Sequence, residues 1–221
     1  MQNVPLQTGY DKSVVAFSPE GKIPQIEYAR EAIKRGSTAI GIKTLDGIVI
    51  LSTRQIPTKL IKAKSIEKIY QIDNHIIAAT VGMTADGRAL IEKARIEAQI
   101  NRTIYDEPIG VETLTKKICD YIYLYTQSGG VRPFGTSLLI AGIENGKPRL
   151  FETDPSGAFF EYEAIGIGGL RQDIIDILEE KYNENLTIKS ATKLGIEIFK
   201  SLNIKNIEIA TLTLNNEYHK E

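Results

Sequence analysis

Residues Ser37–Ser52 read STAIGIKTLDGIVILS, and this stretch decides the fold. Its two halves, Ser37–Lys43 and Ile48–Ser52, have strand character and meet through Asp46-Gly47, a strong hairpin signal. Gly47-Ile48-Val49-Ile50-Leu51 is continuously apolar rather than alternating, which predicts a strand covered on both faces. A hairpin of that kind needs a layer on each side of it.

The flanking sequence supplies those layers. Downstream, Ile69–Ile72 and Ile76–Val81 form a second strand pair turning at Asp73-Asn74. The period then becomes helical. Thr84 is placed to N-cap a helix carrying Leu90, Ala94 and Ala98, and another helix starts near Pro108 and runs to about Thr126. After a glycine-rich loop, Gly129–Gly135, strands return at Ser137–Ile143, Arg149–Glu152, Phe159–Glu163 and Ala164–Ile167, with turns at Asn145-Gly146 and Pro155-Ser156-Gly157. Two helices follow, marked by Leu170, Ile174, Leu178 and Tyr182 and by Ala191, Leu194, Ile198 and Leu202. A last strand, Glu208–Leu214, precedes a short polar tail. Upstream, a turn at Pro19-Glu20-Gly21 leads into a short helix, Gln25–Lys34, with Ile26, Ala29 and Ile33 on one side and Gly36 at its end. The order predicts an α+β fold: a four-layer αββα sandwich, two antiparallel sheets between helix layers, with an extra N-terminal helix. Residues 13–221 are expected to form this one domain. Residues 1–12, polar or turn-forming and broken by Pro5 and Gly9, are expected to be a flexible segment without a regular element.

The bulk composition excludes several classes. Over 221 residues, 42% hydrophobic and 25% charged is ordinary globular composition, and a formal net charge of −1 offers no basic excess for nucleic acid. No apolar run is long enough to span a bilayer and no signal peptide is visible, so the chain reads as cytoplasmic, with no membrane partner. The one cysteine, Cys119, falls in a helical pattern and reads as a small apolar residue. The two histidines, His75 and His219, carry no metal-ligand spacing, and His75 reads as a solvated turn residue. Gly166-Ile167-Gly168-Gly169 lacks the lysine and spacing of a phosphate loop and reads as a strand-to-helix turn. No metal and no cofactor is expected.

A string of motifs in register goes further. Gly9-Tyr10-Asp11-Lys12, Phe17-Ser18-Pro19-Glu20-Gly21, Gln25-Ile26-Glu27-Tyr28-Ala29 and Gly36-Ser37-Thr38-Ala39 resemble, in order and spacing, the opening of proteasome α subunits. Ser65-Ile66-Glu67-Lys68-Ile69, Val81-Gly82-Met83-Thr84-Ala85-Asp86, Gly129-Gly130-Val131-Arg132-Pro133-Phe134-Gly135 and Asp154-Pro155-Ser156-Gly157 fit the same family, in a generic form similar to archaeal members. The resemblance covers nearly the whole chain. It implies the N-terminal-nucleophile hydrolase sandwich, here in a non-catalytic subunit of the 20S core particle. It also implies a homo-heptameric α ring stacked on β subunits, which carry the proteolysis, with unfolded polypeptides passing through and a ring ATPase or other activator docking outside.

The same resemblance assigns residues. Tyr10, Asp11, Pro19 and Tyr28 match the family's gate cluster, and Lys12 stands where the family usually has arginine. Lysine keeps the charge but lacks the planar fork, which loosens any tie from Asp11 to a neighbour. Lys68 matches the cation that meets the C-terminal carboxylate of an activator tail. Gly36, Gly82 and Met83 match the rest of that pocket, and Glu27 is placed at the docking surface. On residue chemistry alone, Lys68 reads as a solvated lysine before a strand, Pro19 as a turn and Tyr28 as an amphipathic helix residue. Arg132, Pro133, Phe134 and Gly135 match the loop by the pore and subunit contacts. Glu27, Arg30 and Glu31 are expected on an exposed helix face that serves neighbours and activators. Family members often end in a further helix, for which too little sequence follows Asn215-Asn216-Glu217.

An enzyme remains the alternative: a peptidase matured at Ser37. In catalytic relatives a freed N-terminal threonine supplies an amine of pKa roughly 7.7–8.0 that helps move its own hydroxyl proton. Ser37 stands at that position behind residues 1–36, and an internal amide nitrogen is not basic. Thr53 stands where the acidic partner is expected, so Lys68 alone remains of the three groups and no catalytic residue is assigned. A stand-alone α ring without β subunits is a further reading.

Overall fold

The structure is a computed structural model that describes residues 16–220 apart from 55, 57, 63 and 64. The decisive hairpin forms as read: β1 (Ala39–Thr44) and β2 (Gly47–Thr53) pair antiparallel, with Ile42 opposite Val49. All of β2 is buried, as its unbroken apolar run requires. β8 (Ala164–Ile167) pairs with the free edge of β1. β9 (Ile207–Thr213) pairs with β2, and β10 (Tyr218–Lys220) pairs with β9, giving the order β10-β9-β2-β1-β8. The second sheet runs β3 (Ile69–Asp73), β4 (Ile76–Gly82), β5 (Thr136–Glu144), β6 (Lys147–Thr153) and β7 (Phe159–Glu161), again antiparallel throughout.

Three buried clusters divide the molecule into four layers. Ile48, Ile50 and Leu212 of the first sheet meet Ile77, Leu139 and Leu150 of the second in the central layer. On the outer face of the second sheet, Ala78, Leu138 and Ile140 pack under α2 (Thr84–Tyr105) and α3 (Val111–Gln127) through Leu90, Ala94, Leu114 and Ile118. On the outer face of the first, Ile40, Val49 and Leu51 pack under α4 (Arg171–Lys181) and α5 (Ile188–Ser201) through Ile174, Leu194 and Phe199. The extra helix α1 (Pro24–Lys34) buries Ile26, Ala29 and Ile33, with Ile33 entering the central cluster. The αββα sandwich with its N-terminal helix is therefore the observed architecture.

Several local expectations are corrected. Thr84 is the first residue of α2, not its cap; Met83 holds that position and donates no side-chain cap. The next helix starts at Val111 behind Gly110, because Val111, Leu114 and Ile118 are the residues that bury, while Pro108 stays in the exposed connection. β7 stops at Glu161, since the chain there crosses from the second sheet to the first, and Glu163 already accepts the Lys43 amide. His75 is buried rather than solvated, with Nε2 at 2.8 Å from the Ile109 carbonyl; that oxygen can only accept, so Nε2 carries the proton. The polar tail contains β10, whose Tyr218 lies opposite Leu212. Cys119 is buried as read, and burial pushes its thiol up to about 12.

Candidate docking site at the start of α2

Three separate stretches of backbone meet where β4 passes into α2. Gly82, the last residue of β4, has φ +110°, and a Cβ there would fall 2.3 Å from the Gly135 carbonyl oxygen. A Cβ on Gly36 would fall 2.7 Å from the Gly82 nitrogen. The Met83 amide donates to the Gly135 carbonyl at 2.9 Å. Glycine at these positions is thus a packing requirement.

Asp86, in the first turn of α2, fastens the junction. Its carboxylate accepts two bonds from the Arg132 guanidinium, at 2.6 and 2.8 Å, and one from the Gly135 amide at 2.8 Å. A carboxylate in a first helical turn also sits well with the helix dipole. Arg132 and the Gly135 amide hold the Asp86 carboxyl below the usual range, against a burial effect that would raise it. Arg132 also donates to the Pro133 carbonyl at 3.0 Å, and Phe134 packs into Tyr121 and Tyr125, with ring centroids 5.8 and 4.5 Å away. Pro133, Phe134 and Gly135 are buried; Gly129 to Arg132 are exposed.

Lys68 approaches the same helix start from β3. It is 6% exposed, which removes the solvated reading. Its amide donates to Glu208 Oε2 at 3.0 Å and its carbonyl accepts the Thr80 amide at 3.0 Å, so the backbone is pinned on both sides. The ammonium reaches the Thr84 hydroxyl at 3.4 Å and faces a cleft of about 670 Å³ lined by Ile61, Ser65, Tyr70 and Arg88 among others. Burial lowers the Lys68 pKa, and the nearby Glu208 charge opposes that shift. Among the described residues no carboxylate lies within ion-pairing distance of this ammonium.

Of the gate residues, Tyr10, Asp11 and Lys12 lie outside the described residues. Pro19 is exposed in a turn closed by the Gly21 amide donating to the Ser18 carbonyl at 2.9 Å. Tyr28 stands 54% exposed on α1. Glu27 is half-buried and pairs with Arg30 at 2.6 Å. Arg30 itself is no free surface cation: its guanidinium holds Asp154 at 3.0 and 2.8 Å and so ties α1 to the turn before β7. Glu31 is exposed and pairs with Lys34.

At the position of the enzyme alternative, Ser37 is buried, with no hydrogen-bond partner for its hydroxyl among the described residues. Its carbonyl lies against Gly168, where a Cβ would come within 2.3 Å. The Thr53 hydroxyl accepts the Thr38 amide at 3.0 Å and so completes the β1–β2 ladder. Among the described residues no group of three or more His, Cys, Asp or Glu could hold a metal ion, and no helix is long and apolar enough to cross a membrane.

The structure therefore joins Gly36, Gly82, Met83, Arg132 and Gly135 in one junction, with Lys68 bonded to the next residue, Thr84. Sequence reading missed the two carboxylates that organise it. Asp86 stood inside a quoted motif, with an acid in a helix's first turn as its signal. Glu208 gave no signal, since only the packing of one sheet on the other brings β9 beside Lys68.

An αββα sandwich of two antiparallel sheets, preceded by a helix that buries Ile33 in the central layer, defines the proteasome-type class of fold. A family model described as "Proteasome subunit" matches residues 33–212, and a second, describing the N-terminal signature of A-type proteasome subunits, matches residues 10–32. The chain is 51% identical over 216 residues to the proteasome alpha subunit of Methanosarcina acetivorans, covering 96% of this chain and 87% of that one. It is 55% identical over 197 residues to that of Methanosarcina barkeri (89% and 79% covered), and 50% over 220 residues to that of Archaeoglobus fulgidus (97% and 89%). The chain belongs to the proteasome subunit family, as an α-type subunit of the core particle.

Proposed function

We propose that this chain builds the homo-heptameric outer ring of a cytoplasmic core particle, gates the entry of unfolded polypeptides and docks the C-terminal tails of an activator. In this reading residues 1–12 are the gate segment, and residues 13–221 are the domain that carries it. Tyr10, Asp11, Lys12, Pro19 and Tyr28 organise the gate. Lys68, Gly36, Gly82, Met83 and Glu27 form the docking surface. Arg132, Pro133, Phe134 and Gly135 belong to the loop beside the pore and neighbouring subunits, with Arg132 its exposed member. A seven-fold ring needs a head-to-tail interface, so its two contacting faces differ.

The observation that carries the docking role is the Lys68 ammonium, turned to an open cleft beside the α2 start with no carboxylate of its own among the described residues. A tail carboxylate at about 4 Å would gain roughly 4 kcal/mol at an effective dielectric near 20, before desolvation is subtracted. One tail binds weakly on that account; several tails on one activator gain through effective concentration. The non-catalytic role is supported by chemistry: Ser37 is an internal, buried residue whose amide is no base, and Thr53 spends its hydroxyl on the strand ladder.

The test is peptide hydrolysis by particles reconstituted with a partner β subunit, comparing the full chain with one lacking residues 1–12. Faster hydrolysis by the truncated form, and none by either α form alone, is the expected result. Equal rates would overturn the gate, and activity of the α chain alone would overturn the non-catalytic role. Intact mass separates the alternative, because maturation at Ser37 removes residues 1–36.

A further inference from the structure

Two lysine amines lie near the buried Glu208 carboxylate, and they are used in opposite ways. Lys220 Nζ, on β10, is fully engaged: it lies 2.8 Å from Glu208 Oε1 and donates to Glu67 Oε1 and to the Ile69 carbonyl, each at 2.6 Å. The Lys68 ammonium has the Thr84 hydroxyl at 3.4 Å and the open cleft. The Glu208 side chain is 0% exposed; Oε1 also meets Arg54 Nη2 at 3.1 Å, and Oε2 accepts the Lys68 amide. Consecutive residues are therefore held by one ion pair: Glu67 by its carboxylate, Lys68 by its amide and Ile69 by its carbonyl.

We propose that Lys220 and Glu208 are positioning residues for Lys68: together they fix the backbone at 67–69, and Lys220 with Arg54 compensates the charge of the buried carboxylate, so that the Lys68 ammonium stays turned to the cleft and open to a ligand carboxylate. This rests on the reading of Lys68 as the docking cation. Glu208 and Glu67 balance Arg54 and Lys220, so the set is neutral without Lys68. Without the Lys220 charge, Glu208 is left under-compensated at a buried position, and Lys68 is the cation at hand to replace it. A Lys68 drawn inward cannot meet a ligand. Among the described residues, the charged and titratable groups around Lys68 are Glu67 just before β3, Tyr70 of β3, Arg54 after β2, Glu208 of β9, Tyr218 and Lys220 of β10 and Arg88 of α2. Of these, Glu208 supports the charge on Lys68 against burial. Glu208→Gln therefore acts differently from Lys220→Met: it makes the amine lose its proton at lower pH.

The probe is a short fluorescent peptide of alanine and leucine with a free C-terminal carboxylate, set against its C-terminal amide twin. Both are presented in several copies on one carrier so that weak single tails sum. Binding to the assembled full-length chain is read by anisotropy. Wild type should prefer the carboxylate form and Lys68→Met should abolish that preference; if it survives, the reading of Lys68 as docking cation fails. With that reading intact, Lys220→Met should weaken the carboxylate form at least about fivefold, leave the amide form unchanged, and be rescued by Lys220→Arg. A wild-type preference in Lys220→Met overturns the positioning role. Should that variant fail to fold, Glu67→Met removes one of the Lys220 bonds at a half-exposed site, and an unchanged preference there overturns it too. In Glu208→Gln the alkaline loss of carboxylate binding should move to lower pH; an equal loss of both peptides with an unmoved midpoint marks a merely structural residue.

Discussion

Asp86 holds both ends of one fastening, the exposed Arg132 guanidinium and the buried Gly135 amide. Removing a buried acceptor leaves its donor unpaired, which costs more than losing a half-exposed partner. Asp86→Ala is therefore expected to cost about 1–3 kcal/mol, and Arg132→Ala less, in urea melts of the full chain. Equal losses would mean that the ion pair, and not the amide, holds the loop. Acid acts on the same atoms. Asp86 is held below the usual range by Arg132 and Gly135. Asp154 and Glu208 are held low by Arg30 and Ser156 and by Arg54 and Lys220, against burial that would raise them. A lowered folded-state pKa contributes stability that is fully present above the unfolded value, about 3.9–4.3, and is lost as pH falls through the folded value. Melting temperature should therefore hold from neutrality to about pH 5 and drop steeply below about pH 4, less steeply in Asp86→Asn.

At the scale of elements, the glycines at the α2 start and the caps of the outer helices set the tolerances. Gly82→Ala places a Cβ 2.3 Å from a carbonyl oxygen at φ +110°, so the loop before β5 must move; the expected cost is at least about 1–3 kcal/mol. Gly129 has no atom within 4 Å of such a Cβ, and Gly129→Ala should leave the thermal midpoint nearly unchanged. Similar losses in the two variants would contradict the packing argument. The hydrophobic face of α5 is secured by a different device: Thr187 accepts the Ser190 amide while the Ser190 hydroxyl accepts the Thr187 amide. Thr187→Ala should cost about 1 kcal/mol, read by chemical denaturation. Helix and strand identities were legible because β2 is apolar without a break and α5 is apolar on one face. Boundaries were less so: Pro108 suits a first turn, yet burial of Val111 and Leu114 decided where α3 begins.

Over the whole molecule, the sheets bring together residues that the sequence keeps far apart. Lys68 precedes β3 in the second sheet, while Glu208 and Lys220 belong to the first, so the candidate docking lysine sits on a seam between the two. The site and the last strands are therefore one mechanical unit, and disturbing β10 should be felt at the cleft. α1 is joined to the body in the same manner, by Ile33 in the central core and by Arg30 on Asp154. A helix fixed at both points gives Tyr28 a rigid base, whatever the chain ahead of it does.

The sequence by itself determined the layers, because apolar continuity and helical period report how many faces of each element must be buried. It also determined the family, through motifs that need only be read in order. The tertiary structure decided what those motifs touch. Lys68 proved buried and pinned because β9 lies beside it, His75 turned inward because the Ile109 carbonyl waits there, and Arg30 is tied down by Asp154. β10 exists because the edge of β9 offers it hydrogen bonds, not because Tyr218-His219-Lys220 favours a strand. Strand pairing and the packing of layers join residues at any sequence separation, and a buried charge finds its partner only once they have formed.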